Sequence, residues 1–342
     1  MKLARAQAWL VSTALGAPAA LKRLVAGGRC DDDGQSITLH TATFLRMVSS
    51  SPTPSHTRSV EGQRKMLRAM SEALGGGGPA LDVTPLSLPT PSGALHARRY
   101  RPPGLPSPAP ALLYFHGGGF VLGDLDTHDG LCRRLAAEAQ LEVIAVDYRL
   151  APEHPAPAAF DDARAALDAV RALAPSLGLD LTRLAVGGDS AGGNLAAALS
   201  LFDVNTPALR AQLLLYPLLD HRCDSPSFER FKEGYYLTAA QVRWFRAQYL
   251  GADRSHDADP QHSPLLAPHL GRSPPTVLEI AGLDVLRDEG LAYAARLASE
   301  GVPVTLLRAE GLPHAFGNLA GALPEAEDAL RRAARALAER LA

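Results

Sequence analysis

The chain has 342 residues, enough for one large α/β domain with an accessory segment or for two ordinary domains. Apolar residues make up 46% and charged residues 20%, a composition typical of globular proteins. With 34 basic and 36 acidic residues the formal charge is −2, which gives no support to a nucleic acid or an anionic membrane surface as partner and leaves a small molecule as the expected one.

The N-terminal segment allows two interpretations. Basic residues precede an apolar run, and Gly16-Ala17-Pro18-Ala19 loosely imitates a signal-peptidase site. Polar residues interrupt that run, however, and Lys22 and Arg23 follow it at once. We therefore expect an amphipathic helix broken near Gly16–Pro18. The positions that suggest this helix are Trp9, Leu10, Thr13, Leu21, Leu24 and Val25.

Two more helices are predicted before residue 80. One lies near Leu39–Val48 and runs into a breaker-rich connection at 49–54, and the other, Val60–Leu74, is stopped by the glycines Gly75–Gly78. This glycine run is the clearest boundary in the chain. It divides the chain into a helical N-terminal segment over 1–78 and a larger domain over 79–342.

Beyond the boundary, Leu81–Leu88 and Ala94–Tyr100 alternate around a turn-rich segment, which predicts a hairpin. Short apolar runs then alternate with helical patterns, and this alternation predicts an α/β protein whose parallel sheet is covered on both faces. The apolar runs are Ala111–Phe115, Val143–Val146, Leu184–Val186, Gln212–Tyr216, Thr276–Ile280 and Val302–Leu307. The helices are predicted near Thr127–Ala139, Ala156–Leu173, Ala191–Phe202, Arg287–Glu300 and Pro324–Leu341.

The alternation breaks once, between the strand ending at Tyr216 and the strand starting at Thr276. About sixty residues separate them, which is too many for a simple loop. An aromatic-rich insertion of this kind usually helps to cover a ligand site, and the alternative is extra packing. We therefore expect a cap insertion at about 219–270.

A strand-to-helix junction carries the pattern G-x-S-x-G as Gly188-Asp189-Ser190-Ala191-Gly192. Glycines two positions either side of a serine leave room for the tight turn that exposes its hydroxyl, and the following helix directs N–H groups toward a developing oxyanion. Ser190 is therefore the candidate nucleophile. The alternative is a glycine-rich turn with a capping serine.

A second motif, His116-Gly117-Gly118-Gly119-Phe120, directly follows the strand Ala111–Phe115. Consecutive glycines expose main-chain N–H groups, and two of them can donate to the charged oxygen of a tetrahedral intermediate, which is worth about 3 kcal/mol per donor. We interpret His116 as a residue that supports this loop rather than as the catalytic base.

An activated serine needs a base, and the base needs a carboxylate that orients it. In this type of sheet the acid and then the base follow the serine along the chain, each after a strand. Asp284 lies in the turn after Thr276–Ile280, whereas Asp288 and Glu289 lie in the first turn of the next helix, where they can stabilise that helix. His314 is the histidine that follows the last strand. The four histidines of the insertion are expected at the surface or in the lid: His221, His256, His262 and His269.

The polar stretch 147–155 after the strand Val143–Val146 could hold a further catalytic pair, but a hydrogen-bonded loop that supports the site is the preferred interpretation. Cys30, Cys132 and Cys223 are widely spaced and form no metal-ligand pattern. Free thiols, no metal site and no disulfide framework are therefore expected.

Together these motifs resemble the hormone-sensitive-lipase-like family of bacterial carboxylesterases within the α/β hydrolases. The resemblance covers roughly 80–340, and the N-terminal piece, including Asp33-Gly34-Gln35, is similar to the family's helical cap. The matching motifs are H-G-G-G-F at 116–120, D-Y-R-L-A-P-E-H-P at 147–155, G-D-S-A-G-G at 188–193, L-D-V-L-R-D-E-G at 283–290 and H-A-F at 314–316.

The resemblance implies an eight-stranded, mostly parallel sheet with a helical cap and an esterase for short- to medium-chain acyl esters, without cofactor or metal. It also implies a triad of Ser190, Asp284 and His314 and an oxyanion hole formed by the N–H groups of Gly118, Gly119 and Ala191. Val285 stands where many relatives carry proline, a departure that removes no functional group.

Other functions stay open on the same residues. An amidase, lactonase or acyltransferase would use the same triad, and a small-molecule receptor could keep the pocket without the chemistry. No later stretch is long and apolar enough to span a bilayer, so a cytoplasmic protein without stable membrane insertion is expected, as a monomer or a homodimer.

Overall fold

A computed structural model of the chain describes residues 2–27, 31–50, 57–91, 93–203, 205 and 208–342. Cys30, residues 51–54 of the predicted connection and Ser92 of the predicted hairpin lie outside the described residues.

Strands form two sheets. A short antiparallel hairpin of β1 (Asp31–Asp32) and β2 (Gln35–Ser36) precedes a central sheet of eight strands. The eight strands are β3 (Asp82–Thr90), β4 (Gly93–Arg101), β5 (Ala109–Phe115), β6 (Glu142–Val146), β7 (Leu179–Asp189), β8 (Ala211–Leu215), β9 (Thr276–Leu283) and β10 (Val304–Pro313).

The strand order across the central sheet is β10-β9-β8-β7-β5-β6-β4-β3. Neighbours from β10 to β6 are parallel, and β4 pairs antiparallel with both β6 and β3. Strands β5, β6, β8 and β9 are buried over their whole length, which explains their nearly continuous apolar sequences. The prediction of an eight-stranded, mostly parallel α/β-hydrolase sheet is confirmed.

Helices cover both faces of the central sheet. Helix α5 packs with α11, and α6 packs with α7. The helices of the described residues are α1 (Lys2–Gly16), α2 (Ala19–Ala26), α3 (Leu39–Ser49), α4 (Val60–Leu74), α5 (Asp129–Ala139), α6 (Ala158–Leu177), α7 (Ala191–Phe202), α8 (Pro226–Arg230), α9 (Ala239–Leu250), α10 (Arg287–Ser299) and α11 (Pro324–Leu341). None of these described helices is both long enough and apolar enough to cross a lipid bilayer.

The N-terminal helices pack against one another, α1 on α4 and α2 on α3. The predicted break falls between α1 and α2, but the predicted apolar face is wrong. Trp9, Leu10, Leu21 and Leu24 are half to three-quarters exposed. The buried face of α1 consists of other residues at helical spacing. They are Ala4, Ala8, Val11 and Leu15.

Candidate active site

The strained turn between β7 and α7 carries Ser190. Its φ of 53° lies in the left-handed region, where residues other than glycine are uncommon. A Cβ on Gly188 would overlap the backbone of Gly192, and a Cβ on Gly192 would overlap the carbonyl oxygen of Phe115. The Ser190 N–H donates to the Leu215 carbonyl at 2.9 Å, at the end of the neighbouring strand. Both glycines are therefore needed for the turn that presents the hydroxyl.

The structure brings Ser190, His314 and Asp284 into one hydrogen-bonded series. His314 Nε2 lies 2.8 Å from Ser190 Oγ, and His314 Nδ1 lies 2.7 Å from Asp284 Oδ2. The other carboxylate oxygen, Oδ1, accepts the main-chain N–H of Leu286 at 3.0 Å. Asp284 and His314 are buried, at 2% and 5% exposure, so water competes little for these bonds.

The alternative acids lie elsewhere. Asp288 Oδ2 accepts the N–H of Ser227 at 2.8 Å. Glu289 accepts the N–H of Leu219 at 2.5 Å, and burial raises the pKa of Glu289 well above its ordinary value. Asp284 is thus the carboxylate that contacts the imidazole of His314.

The H-G-G-G loop passes close to the nucleophile turn with left-handed backbone at Gly118 (φ 122°) and Gly119 (φ 62°). A Cβ on Gly118 would overlap the carbonyl oxygen of Leu122, and a Cβ on Gly119 would overlap the ring of Phe245. Among the residues that the structure describes, the N–H groups of Gly118, Gly119 and Ala191 donate to no protein acceptor. All three predicted donors line the same cavity as Ser190.

His116 lies beneath this loop. Its Nδ1 is 2.8 Å from the Gly117 carbonyl oxygen, its ring stacks on Tyr148 at 4.4 Å, and burial lowers its pKa to about 4. The ring is therefore neutral and packed. These contacts favour the supporting role predicted for it.

Sequence reasoning assigned no role to Asp189, the residue before the nucleophile. Its buried Oδ1 accepts the Gly117 N–H at 2.8 Å and the Tyr114 hydroxyl at 2.7 Å, and it lies 3.4 Å from His128 Nε2. Burial opposes ionisation of Asp189, but His128 and these hydrogen bonds hold its pKa below the ordinary value. Asp189 thus connects the turn at Ser190 to the glycine loop. The only indication of this role in the sequence was its position within the pattern G-x-S-x-G.

The polar stretch 147–155 contacts the same loop from the other side. The Tyr148 hydroxyl donates to the His116 carbonyl oxygen at 2.7 Å, and the Ala151 N–H donates to the Phe120 carbonyl oxygen at 2.9 Å. Glu153 pairs with Arg64 of α4 at 2.7 Å. This stretch therefore supports the site through hydrogen bonds, as the preferred interpretation expected.

A cavity of about 710 Å³ opens above Ser190. Its walls come from three parts of the chain. They are the loops that carry the glycine motif and Ser190, the N-terminal helices, with Gln7, Val48 and Met66, and the insertion around α9, with Phe245. Of the four insertion histidines, His256 and His269 are exposed, whereas His262 and His221 are buried and His221 lines the cavity.

The described cysteines and acidic residues offer no alternative chemistry. Cys132 and Cys223 are both free, and burial raises the pKa of each thiol, that of Cys223 to about 12. A protonated, buried thiol is a poor nucleophile. Among the described residues no cluster of three histidine, cysteine or acidic side chains could hold a metal ion.

Comparisons with known proteins show the family of the chain. A family model for the alpha/beta hydrolase fold matches residues 112–318. The carboxylic ester hydrolase LipN of Mycobacterium tuberculosis is 45% identical over 265 residues, which cover 75% of this chain and 70% of LipN. An ethyl acetate hydrolase of Pseudomonas putida is 40% identical over 324 residues, 90% of this chain and 100% of that protein.

Solved structures give the same result. A thermostable esterase from Pseudomonas putida has a TM-score of 0.85 at 32% identity, over 91% of this chain and 99% of its own. An ester hydrolase from the metagenome of Lake Arreo, in complex with a bipyridine phosphonate derivative, has a TM-score of 0.84 at 38% identity. That match covers 89% of this chain and 98% of the metagenomic one.

Proposed function

The chain belongs to the hormone-sensitive-lipase-like carboxylesterases of the α/β-hydrolase superfamily and is a carboxylic ester hydrolase, and we propose that it cleaves short- to medium-chain acyl esters through an acyl-enzyme on Ser190. The observation that carries this proposal is the hydrogen-bonded series Ser190–His314–Asp284, whose serine and histidine line a cavity of about 710 Å³.

In the proposed first step, His314 Nε2 accepts the proton of Ser190 as Oγ attacks the ester carbonyl carbon. Asp284 holds the imidazole in the tautomer that presents Nε2 as acceptor and stabilises the imidazolium that forms. The protonated His314 then gives its proton to the departing alcohol. The 2.7 Å and 2.8 Å contacts fit both transfers without rearrangement of the triad.

The tetrahedral intermediate carries a negative oxygen that must be stabilised. We assign this task to the N–H groups of Gly118, Gly119 and Ala191, which have no protein acceptor within the described chain. Each such donor lowers the activation free energy by about 3 kcal/mol. Water then attacks the acyl-enzyme with His314 as base. The bond between the acyl carbon and Ser190 Oγ breaks, His314 returns the proton to Oγ, and the carboxylic acid leaves.

We further propose that residues 1–78 and about 219–270 together form the cap. The support is that both segments contribute residues to the wall of the cavity that holds Ser190. A volume of about 710 Å³ lies in the range that encloses small ligands, which suits esters of short and medium acyl chains.

Hydrolysis of 4-nitrophenyl esters with two to sixteen acyl carbons, compared with the Ser190→Ala variant, tests the proposal. We expect saturable hydrolysis that favours short and medium chains and is lost in the variant. A wild type that binds esters but leaves them intact would contradict the enzyme. Equal rates for all chain lengths would contradict the substrate class while leaving the enzyme in place.

A further inference from the structure

The N-terminal hairpin contributes a side chain to the catalytic end of the central sheet. Gln35, on β2, is 8% exposed and reaches the point where β9 and β10 separate. Its Nε2 donates to the carbonyl oxygen of Gly282 at 2.9 Å, and its Oε1 accepts the N–H of Gly311 at 2.9 Å. Because one partner only accepts and the other only donates, these bonds fix the orientation of the amide.

The pairing of β9 with β10 is interrupted at this point. Ala281 pairs with Ala309, and the next pair is Leu283 with Pro313. Strand β10 therefore advances four residues where β9 advances two. Gly282 and Gly311 lie within this interruption. The Gln35 amide bonds to the Gly282 carbonyl oxygen and to the Gly311 N–H, which are not paired with each other across the two strands.

The two glycines make room for the hairpin. A Cβ on Gly282 would overlap Oε1 of Gln35, and a Cβ on Gly311 would overlap the carbonyl oxygen of Ser36. Gly311 also has a left-handed φ of 70°. The sequence at all three positions is thus consistent with one specific contact between distant parts of the chain.

We propose that Gln35 is a positioning residue for the triad, one that sets the separation of the strand ends carrying Asp284 and His314. Asp284 follows Gly282 by two residues, and His314 follows Gly311 by three. The contact of 2.7 Å between the carboxylate and the imidazole depends on both strand ends. The catalytic part of this inference rests on the function proposed above.

Two substitutions and a control test it. Gln35→Met keeps the length of the side chain but leaves a buried C=O and a buried N–H unpaired. We expect its kcat for 4-nitrophenyl butanoate to fall about tenfold or more, with KM within about twofold, because a small misplacement of catalytic groups is costly. The control is Arg230→Gln, which removes the ion pair between the insertion and Asp32 of the same hairpin. We expect this control to change kcat less than about twofold.

Gln35→Glu adds a readout that loss of packing would not produce. The introduced carboxyl can donate to Gly282 and accept from Gly311 when it is neutral, but it cannot donate when ionised. We therefore expect the kcat of Gln35→Glu, relative to wild type, to fall as pH rises from about 6 to 9. The relative kcat of Gln35→Met should stay constant over that range, and thermal melting establishes that each variant is folded.

A kcat for folded Gln35→Met within twofold of wild type, or the same pH dependence for both Gln35 variants, overturns the proposal. The low-field proton resonance of the bond between His314 Nδ1 and Asp284 is a readout independent of turnover. We expect it in the wild type and its loss or shift in Gln35→Met. A wild type that shows the resonance but hydrolyses no ester, together with its loss or shift in Gln35→Met, would leave the positioning role in place and refute the proposed function alone.

Discussion

Replacing Asp189 separates support of the oxyanion loop from the chemistry of the nucleophile. The carboxylate accepts the Gly117 N–H and the Tyr114 hydroxyl, both of them buried, and contacts neither His314 nor Asp284. We expect Asp189→Ala to lower kcat much more than KM and to destabilise the protein. Asp189→Asn should do both weakly, because an amide oxygen still accepts the two bonds.

The magnitudes follow from these two hydrogen bonds. In Asp189→Ala two buried donors lose their acceptor, each at about 1–3 kcal/mol, so the free energy of unfolding falls by about 2–6 kcal/mol. In Asp189→Asn two charge-assisted bonds become neutral ones, a loss of about 1 kcal/mol each. Because Gly117 adjoins Gly118, displacement of one oxyanion donor in Asp189→Ala lowers kcat by about 10²-fold.

Steady-state kinetics on 4-nitrophenyl butanoate and urea unfolding measure the two effects separately. Tyr114→Phe is the matched control, because it removes one of the two donors and leaves the Gly117 bond in place. We expect that control to lose stability with little change in kcat. Equal kcat values for Asp189→Ala and Tyr114→Phe would refute the idea that Asp189 positions the glycine loop.

His314→Ala should lower kcat by several orders of magnitude, and a near-normal rate would mean that another group is the base. Gly192→Ala should destabilise the protein strongly or prevent folding, because its Cβ would overlap the Phe115 carbonyl oxygen. The control Gly16→Ala should not destabilise it, because the space around the new Cβ is open, and melting temperatures compare the two variants. Burial raises the pKa of Glu279 from 4.5 to about 8, so the native state retains a proton there that the unfolded state releases. The stability that this proton contributes is present at low pH and declines as pH rises from about 4.5 to about 8. Glu279→Gln should therefore gain melting temperature relative to wild type at pH 9 compared with pH 5, and parallel pH curves would contradict this.

Much of the fold could be predicted because its signals are local. Helix α7 spans Ala191–Phe202 and α11 spans Pro324–Leu341, as predicted. Each predicted strand of the sheet lies inside an observed strand or extends beyond its end by about one or two residues. The candidate acid and base follow from chain order alone, since parallel strands bring their carboxyl ends to one edge of the sheet. The motif around Ser190 lies at that same edge.

What the sequence could not reveal depends on distant partners. Apolar periodicity favoured Trp9 and Leu24 for the buried side of the N-terminal helices, but the small residues Ala4 and Ala8 are buried instead. The insertion histidines were expected at the surface or in the lid, and nothing local distinguishes buried His221 from exposed His256. Burial of such residues is decided by which element packs on them, and propensity carries no information about that.

Some glycines of the candidate active site nevertheless indicate such distant contacts in the sequence. Gly117, Gly192 and Gly282 all lie outside the left-handed region, so their backbone would tolerate any residue. What excludes a side chain is another group: the carboxylate of Asp189 at Gly117, the Phe115 carbonyl oxygen at Gly192, and the amide of Gln35 at Gly282. At these three positions the glycine therefore indicates close approach by a distant segment rather than a left-handed turn. On this reasoning, a substitution at Gly282 and one at Gln35 impair the same contact, and their combined effect on kcat should be less than the product of the single effects.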